Sequence, residues 1–141
     1  MKKLFFAAIS VLVGFSMFCP VIAKTAADSR PNFTVSTIKI DKSKIKQHKV
    51  TVVYSIKNTG ASGTAASVAN VALNKGDEIV QGTVPVPALK PGQIYTNTVN
   101  YNVAEGKKYI VKVTADYKNT LNESNELDHE NKMSFSVGRS F

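Results

Sequence analysis

The chain is written largely in period two. Val50, Val52, Tyr54 and Ile56 alternate with Thr51, Ser55 and Lys57, the pattern of a strand with one face buried and the other wet. From Tyr109 to Tyr117 the same alternation sets Tyr109, Val111, Val113, Ala115 and Tyr117 against Lys112, Thr114 and Asp116; only Ile110 interrupts the polar face. Residues 132–137 repeat it, with Met133, Phe135 and Val137 opposite Lys132, Ser134 and Ser136. Between Phe33 and Ile40 the apolar parity slips once, from Phe33 and Val35 to Ile38 and Ile40. That slip predicts a bulge or a change of sheet near Ser36 and Thr37. Ala66–Leu73, Glu78–Val84 and Ile94–Val103 complete a set of seven strands, the last with Tyr95, Val99, Tyr101 and Val103 on one face.

The connections carry turn chemistry. Asn58-Thr59-Gly60-Ala61-Ser62-Gly63 ends the second strand with residues that tolerate positive φ, and Asn74-Lys75-Gly76-Asp77 makes a tight turn. Pro85, Pro87 and Pro91 keep residues 85–92 out of any central ladder position, so this stretch reads as a crossover loop. No segment has a 3.6-residue period, and there is no internal repeat. The expectation is a single all-β domain: a seven-stranded antiparallel immunoglobulin-like β-sandwich over residues 32–138, with a flexible lead-in at 24–31 and a short tail at 139–141.

Residues 1–23 stand apart from this pattern. Lys2 and Lys3 precede an apolar run over 4–18, and Val21-Ile22-Ala23 offers small residues at the −3 and −1 positions of a cleavage site. This predicts a secretory signal peptide rather than a membrane anchor, and hence export to the periplasm, the cell surface or the medium. Cys19 is the only cysteine; the bulky Phe18 before it suits lipidation poorly, so it is expected to leave with the leader. The mature domain then has no disulfide and no thiol chemistry. Without Lys2 and Lys3, 16 basic residues face 10 acidic ones, a net charge of +6. Such a charge favours anionic surfaces, and export argues against nucleic acid as the partner.

Three constellations are candidates for chemistry. The loop after the sixth strand gathers Asp116, Glu123, Glu126, Asp128 and Glu130, with Asn119, Asn122, Asn125 and Asn131 among them. Hard oxygen ligands suit Ca²⁺, and Asp116, Glu123, Glu126 and Asp128 are the candidate ligands; no other cofactor is expected. The spacing is not that of an EF-hand, and the competing reading is that these side chains satisfy loop backbone and keep the tip solvated. Lys42, Lys44, Lys46 and Lys49 crowd the first connection. They could grip an anionic surface or polymer, or could guard an edge against sheet aggregation; no aromatic lies between them to stack a base. Tyr109, just after Gly106, is placed for a tyrosine corner, its hydroxyl bonded to backbone upstream.

Enzyme chemistry finds no support. His48 and His129 lie far apart, with His129 reading as a solvated loop residue, and there is no Gly-x-Ser-x-Gly. If the strands alternate up and down, residues 41–49, with four Lys and one Asp, and residues 118–131, with one Lys and four acids, lie at opposite poles. Net charges of +3 and −3 would then permit weak, salt-sensitive head-to-tail association.

Pro31-Asn32-Phe33-Thr34-Val35, Lys57-Asn58-Thr59-Gly60, Leu89-Lys90-Pro91-Gly92, the strand from Tyr109 to Asp116, and Asn122-Glu123-Ser124-Asn125-Glu126 with Asn131 occur in that order. Together they resemble the CARDB family, the cell-adhesion-related domain found in bacteria, from Pro31 to Val137. Glu130-Asn131 stands where the family usually carries two adjacent Asn. The resemblance implies an immunoglobulin-like, non-enzymatic binding or adhesion module of the cell surface or periplasm, with a protein or envelope glycan as partner. Two other readings stay open. One is a calcium-stabilised carbohydrate-binding module, for which Tyr95, Tyr101 and Tyr117 are the candidate sugar platforms in a chain without Trp. The other is a periplasmic chaperone or inhibitor that pairs a client through a strand edge.

Overall fold

Val50, Val52, Tyr54 and Ile56, the cleanest alternation in the sequence, are all fully excluded from solvent. They anchor one wall of the core in a computed structural model that describes residues 27–139. The predicted leader at 1–23 lies outside the described residues. Seven strands form: β1 (Phe33–Asp41), β2 (Lys49–Asn58), β3 (Ser67–Asn74), β4 (Ile79–Val86), β5 (Ile94–Asn102), β6 (Lys108–Thr114) and β7 (Glu130–Ser136). They pair as two sheets, β1-β2-β5 and β4-β3-β6-β7, every neighbour antiparallel. This is a seven-stranded immunoglobulin-like sandwich. Among the described residues the only helix is a single 3₁₀ turn at Ile45–Gln47, and none is long and apolar enough to cross a membrane.

The inner faces meet through Phe33, Val35, Tyr54 and Ile56 of one sheet and Val71, Leu73, Val111 and Val113 of the other, all buried. Each such side chain contributes roughly 1.5–3 kcal/mol on burial. In β1 the register shifts between Val35 and Thr37, and this bulge lets Val35 and Ile38 both point inward.

Four local expectations are corrected. β4 continues through Pro85, paired with Val68, to Val86. It is an edge strand, so the N–H that proline lacks is one no neighbour would have used. β6 stops at Thr114 rather than Tyr117, because Asp116 takes a left-handed φ of 42° that breaks the ladder. Met133 keeps the inward parity of β7 but stays 38% exposed, since β7 closes the edge of its sheet and has only β6 beside it. Gly60 does not supply positive φ; Gly76, Gly92 and Gly106 do. A Cβ on Gly60 would fall 2.4 Å from the Asn32 nitrogen and 2.5 Å from the Arg30 carbonyl, so glycine is needed for close backbone approach.

β1 spans the domain from pole to pole. At its start Thr34 meets Asp128 of the β6–β7 loop. Beyond its end the Lys42 ammonium donates to the Ser136 carbonyl at the end of β7. The acidic and basic connections therefore sit at opposite ends of the sandwich.

Candidate functional site

At the acidic pole, the loop after β6 is built from its own side chains. The Asp116 carboxylate accepts from the Ser67 and Thr120 hydroxyls and from the Leu121 N–H. Burial acts to raise its pKa, but these donors outweigh it and hold the group below the ordinary aspartate range. Asp128 accepts from the Asn32 amide at 3.0 and 3.3 Å and from the Thr34 hydroxyl at 3.2 Å. Glu126 accepts from the Glu123 N–H at 3.2 Å. The loop is laced to the segment before β1: the Ser124 N–H donates to the Pro31 carbonyl, and the Asn125 N–H to Asn32 Oδ1.

Glu123 lies at the centre of this knot, only 2% exposed. Its Oε2 accepts from the Phe33 N–H at 3.2 Å, while Oε1 is buried without a partner. Burial first, then the negative charges of Glu126, Asp116 and Asp128, push its pKa up to about 7, against the opposing Phe33 bond. The loop thus brings the four candidate Ca²⁺ ligands close together but commits Asp116 and Asp128 to protein donors. Among the described residues no group of three or more His, Cys, Asp or Glu side chains is arranged to hold a metal ion. His129 is half-buried with its Nδ1 shielded and unpartnered, not solvated as its polar surroundings suggested.

At the basic pole, Lys44, Lys46 and Lys49 are exposed around the 3₁₀ turn. Lys42 is committed locally, its ammonium 5.8 Å from the centre of the Phe135 ring as well as bonded to Ser136. The Tyr109 hydroxyl accepts from the Ala104 N–H at 2.6 Å, five residues upstream, and its ring stacks on Phe135 at 5.3 Å.

The outer face of the four-stranded sheet holds a site that the sequence alone did not single out. Its register lays rows of side chains across the strands: Ile79, Asn74, Ile110 and Ser134, then Gln81, Ala72, Lys112 and Lys132. The short Ala72 lies between the longer Gln81 and Lys112, and a groove of about 410 Å³ opens there, with Asn70 and Tyr117 also in its wall. Lys112 and Lys132 are directly opposite one another, an arrangement that destabilises a sheet by itself. Glu130 bridges them, at 2.9 Å to Lys112 and 3.6 Å to Lys132. The Lys112 hydrogen bond chiefly holds its carboxyl below the ordinary range. One carboxylate between two ammonium groups leaves an excess positive charge. Ile79 and Ile110, 60% and 41% exposed, sit beside it.

Of the three tyrosines considered as platforms, Tyr101 is buried with its hydroxyl donating to the Val71 carbonyl at 2.9 Å. Tyr95 is half-buried and donates to the Pro85 carbonyl. Tyr117 alone of the three is open, 47% exposed and in the groove. The one sequence signal for this face was Ile110, the apolar residue on the polar side of β6.

The sequence and fold have counterparts elsewhere. The CARDB domain of the PF1109 protein from Pyrococcus furiosus, solved in complex with di-metal ions, superposes with a TM-score of 0.66 at 23% identity, over 79% of this chain and 97% of that one. A domain from Methanosarcina acetivorans, described as part of a cell surface protein, gives 0.51 at 18% identity over 77% and 92%. β-Glucosidase 3B from Thermotoga neapolitana, solved with α-D-glucose, gives 0.51 at 22% identity, over 77% of this chain but 16% of the enzyme. That small share gives no ground for enzymatic activity here. A search of the curated proteins finds no match. The CARDB family model matches residues 30–133, and the chain belongs to the CARDB family.

Proposed function

We propose that the protein is an exported, non-enzymatic binding module of the cell envelope, and that it binds through the outer face of the β4-β3-β6-β7 sheet. The observation that carries this reading is the open groove with Ile79, Ile110 and Tyr117 around it, side chains the fold leaves uncovered although water is a poor neighbour for them. Export rests on the leader pattern of residues 1–23. The relation to a cell surface protein domain supports the location. Retention of the mature chain on an isolated envelope fraction tests it: Ile110→Glu is expected to lower retention about tenfold while the melting temperature stays put. Retention unaffected by changes on this face would overturn the proposed surface.

A second reading is cation binding at the acidic pole. The buried, unpartnered Oε1 of Glu123 and the di-metal complex of the archaeal CARDB domain favour it. The residues do not fit a ready-made cage, because a cation would have to displace Asn32 and Thr34 from Asp128 and three donors from Asp116. The expected outcome is that millimolar Ca²⁺ moves the melting temperature by no more than about a degree. A clear rise that disappears in Glu123→Gln would establish the cation instead.

A further inference from the structure

We infer that the groove on the outer sheet face takes a carboxylated sugar unit, a uronic acid within an envelope polysaccharide. The inference rests on the binding-module reading and names its ligand class. The groove's volume of about 410 Å³ falls in the range of small-ligand sites. Its lining combines three chemistries that such a sugar presents together. The exposed Tyr117 ring and Ile110 offer an apolar surface for the C–H face of a pyranose. The amides of Gln81 and Asn74 border the floor at Ala72. Their oxygens already accept from the Asn70 amide and the Gly76 N–H, and their NH2 groups suit the oxygens of sugar hydroxyls. The paired lysines supply the charge.

That pairing is the informative feature. Lys112 and Lys132 are register partners on an exposed face, where nothing in the core requires either of them. Glu130 already shows how a carboxylate sits between them, and it neutralises only one of the two. The excess charge is complementary to a second carboxylate arriving from the groove side. Neutral sugars would leave it uncompensated.

Titration calorimetry of the mature chain with oligouronates, with neutral gluco-oligosaccharides of equal length and with inorganic phosphate is the test. Oligouronates are expected to bind with a Kd of about 0.1–1 mM at low salt, several-fold more weakly at high ionic strength. Tyr117→Ala is expected to weaken binding about tenfold. Lys132→Gln is expected to weaken it and to remove most of its salt dependence; both changes lie on the open face, and unchanged melting would show that the fold survives. Equal affinity for neutral oligosaccharides, full competition by inorganic phosphate, or indifference to Tyr117→Ala would each overturn the uronic acid assignment. Envelope retention lost in Ile110→Glu but no binding of any saccharide would overturn the ligand class while leaving the binding module in place. Retention unaffected by Ile110→Glu, together with no binding of any saccharide, would remove both.

Discussion

Glu123 is an acid in a position that an amide could fill. Its Oε2 needs only to accept the Phe33 N–H, and its buried Oε1 has no donor to meet. With its pKa pushed up to about 7 in the fold against about 4.3 in an unfolded chain, the native state binds the extra proton between those values. Stability from this group is therefore fully present below about pH 4 and is lost as pH rises through 7. The wild type is expected to be roughly 2 kcal/mol more stable at pH 5 than at pH 8 on this account. Glu123→Gln should flatten that slope, keeping the Phe33 bond while removing the charge that faces Glu126, Asp116 and Asp128. Urea unfolding of both proteins at the two pH values decides it, because the difference between them cancels the titrations that are not coupled to Glu123.

Asn58 shows how one side chain ends an element and ties others to it. Fully buried at the end of β2, it accepts from the Asn32 and Gly60 N–H groups and donates to the Ser62 and Leu89 carbonyls. Asn58→Ala would strand the Asn32 and Gly60 N–H groups and the Ser62 carbonyl near the acidic pole, while the Leu89 carbonyl keeps the Thr64 N–H. It should cost about 3 kcal/mol, read from the urea midpoint. A loss under about 1 kcal/mol would mean that water replaces those bonds. Elements of this kind divide by what sequence makes legible. The strands β2 and β6 follow from alternation, and the β1 bulge from a single slip of parity, because burial acts on neighbours along one strand. The extension of β4 through Pro85 was hidden, since proline is tolerated at an edge and edge position is a property of the whole sheet. Met133 was hidden for the same reason. The burial of Glu123 had no local signal in a polar loop. The groove had little, because Gln81, Lys112 and Lys132 share a row only when four strands come into register.

The molecule as a whole is an electrical rod. Its basic and acidic connections are held apart by the nine residues of β1, roughly 27 Å of extended chain. That exceeds the screening length of about 8 Å at physiological salt, so each pole acts on a partner independently of the other. Weak head-to-tail association is expected in sedimentation velocity at low salt and should vanish at high salt; a monomer at every concentration in low salt would refute it. Protonation of Glu123 trims the acidic pole, so association should also fade below pH 7. The same length has a mechanical consequence. The described chain comes in beside the acidic loop, where Arg30 donates to Asn122, and goes out beside the basic turn, where Val137 bonds Lys107 and Gly106. A pull between those points runs along the strands and across their hydrogen bonds. β1 against β2 and β7 against β6 would then be loaded in shear, sharing the tension among many bonds instead of peeling them one at a time.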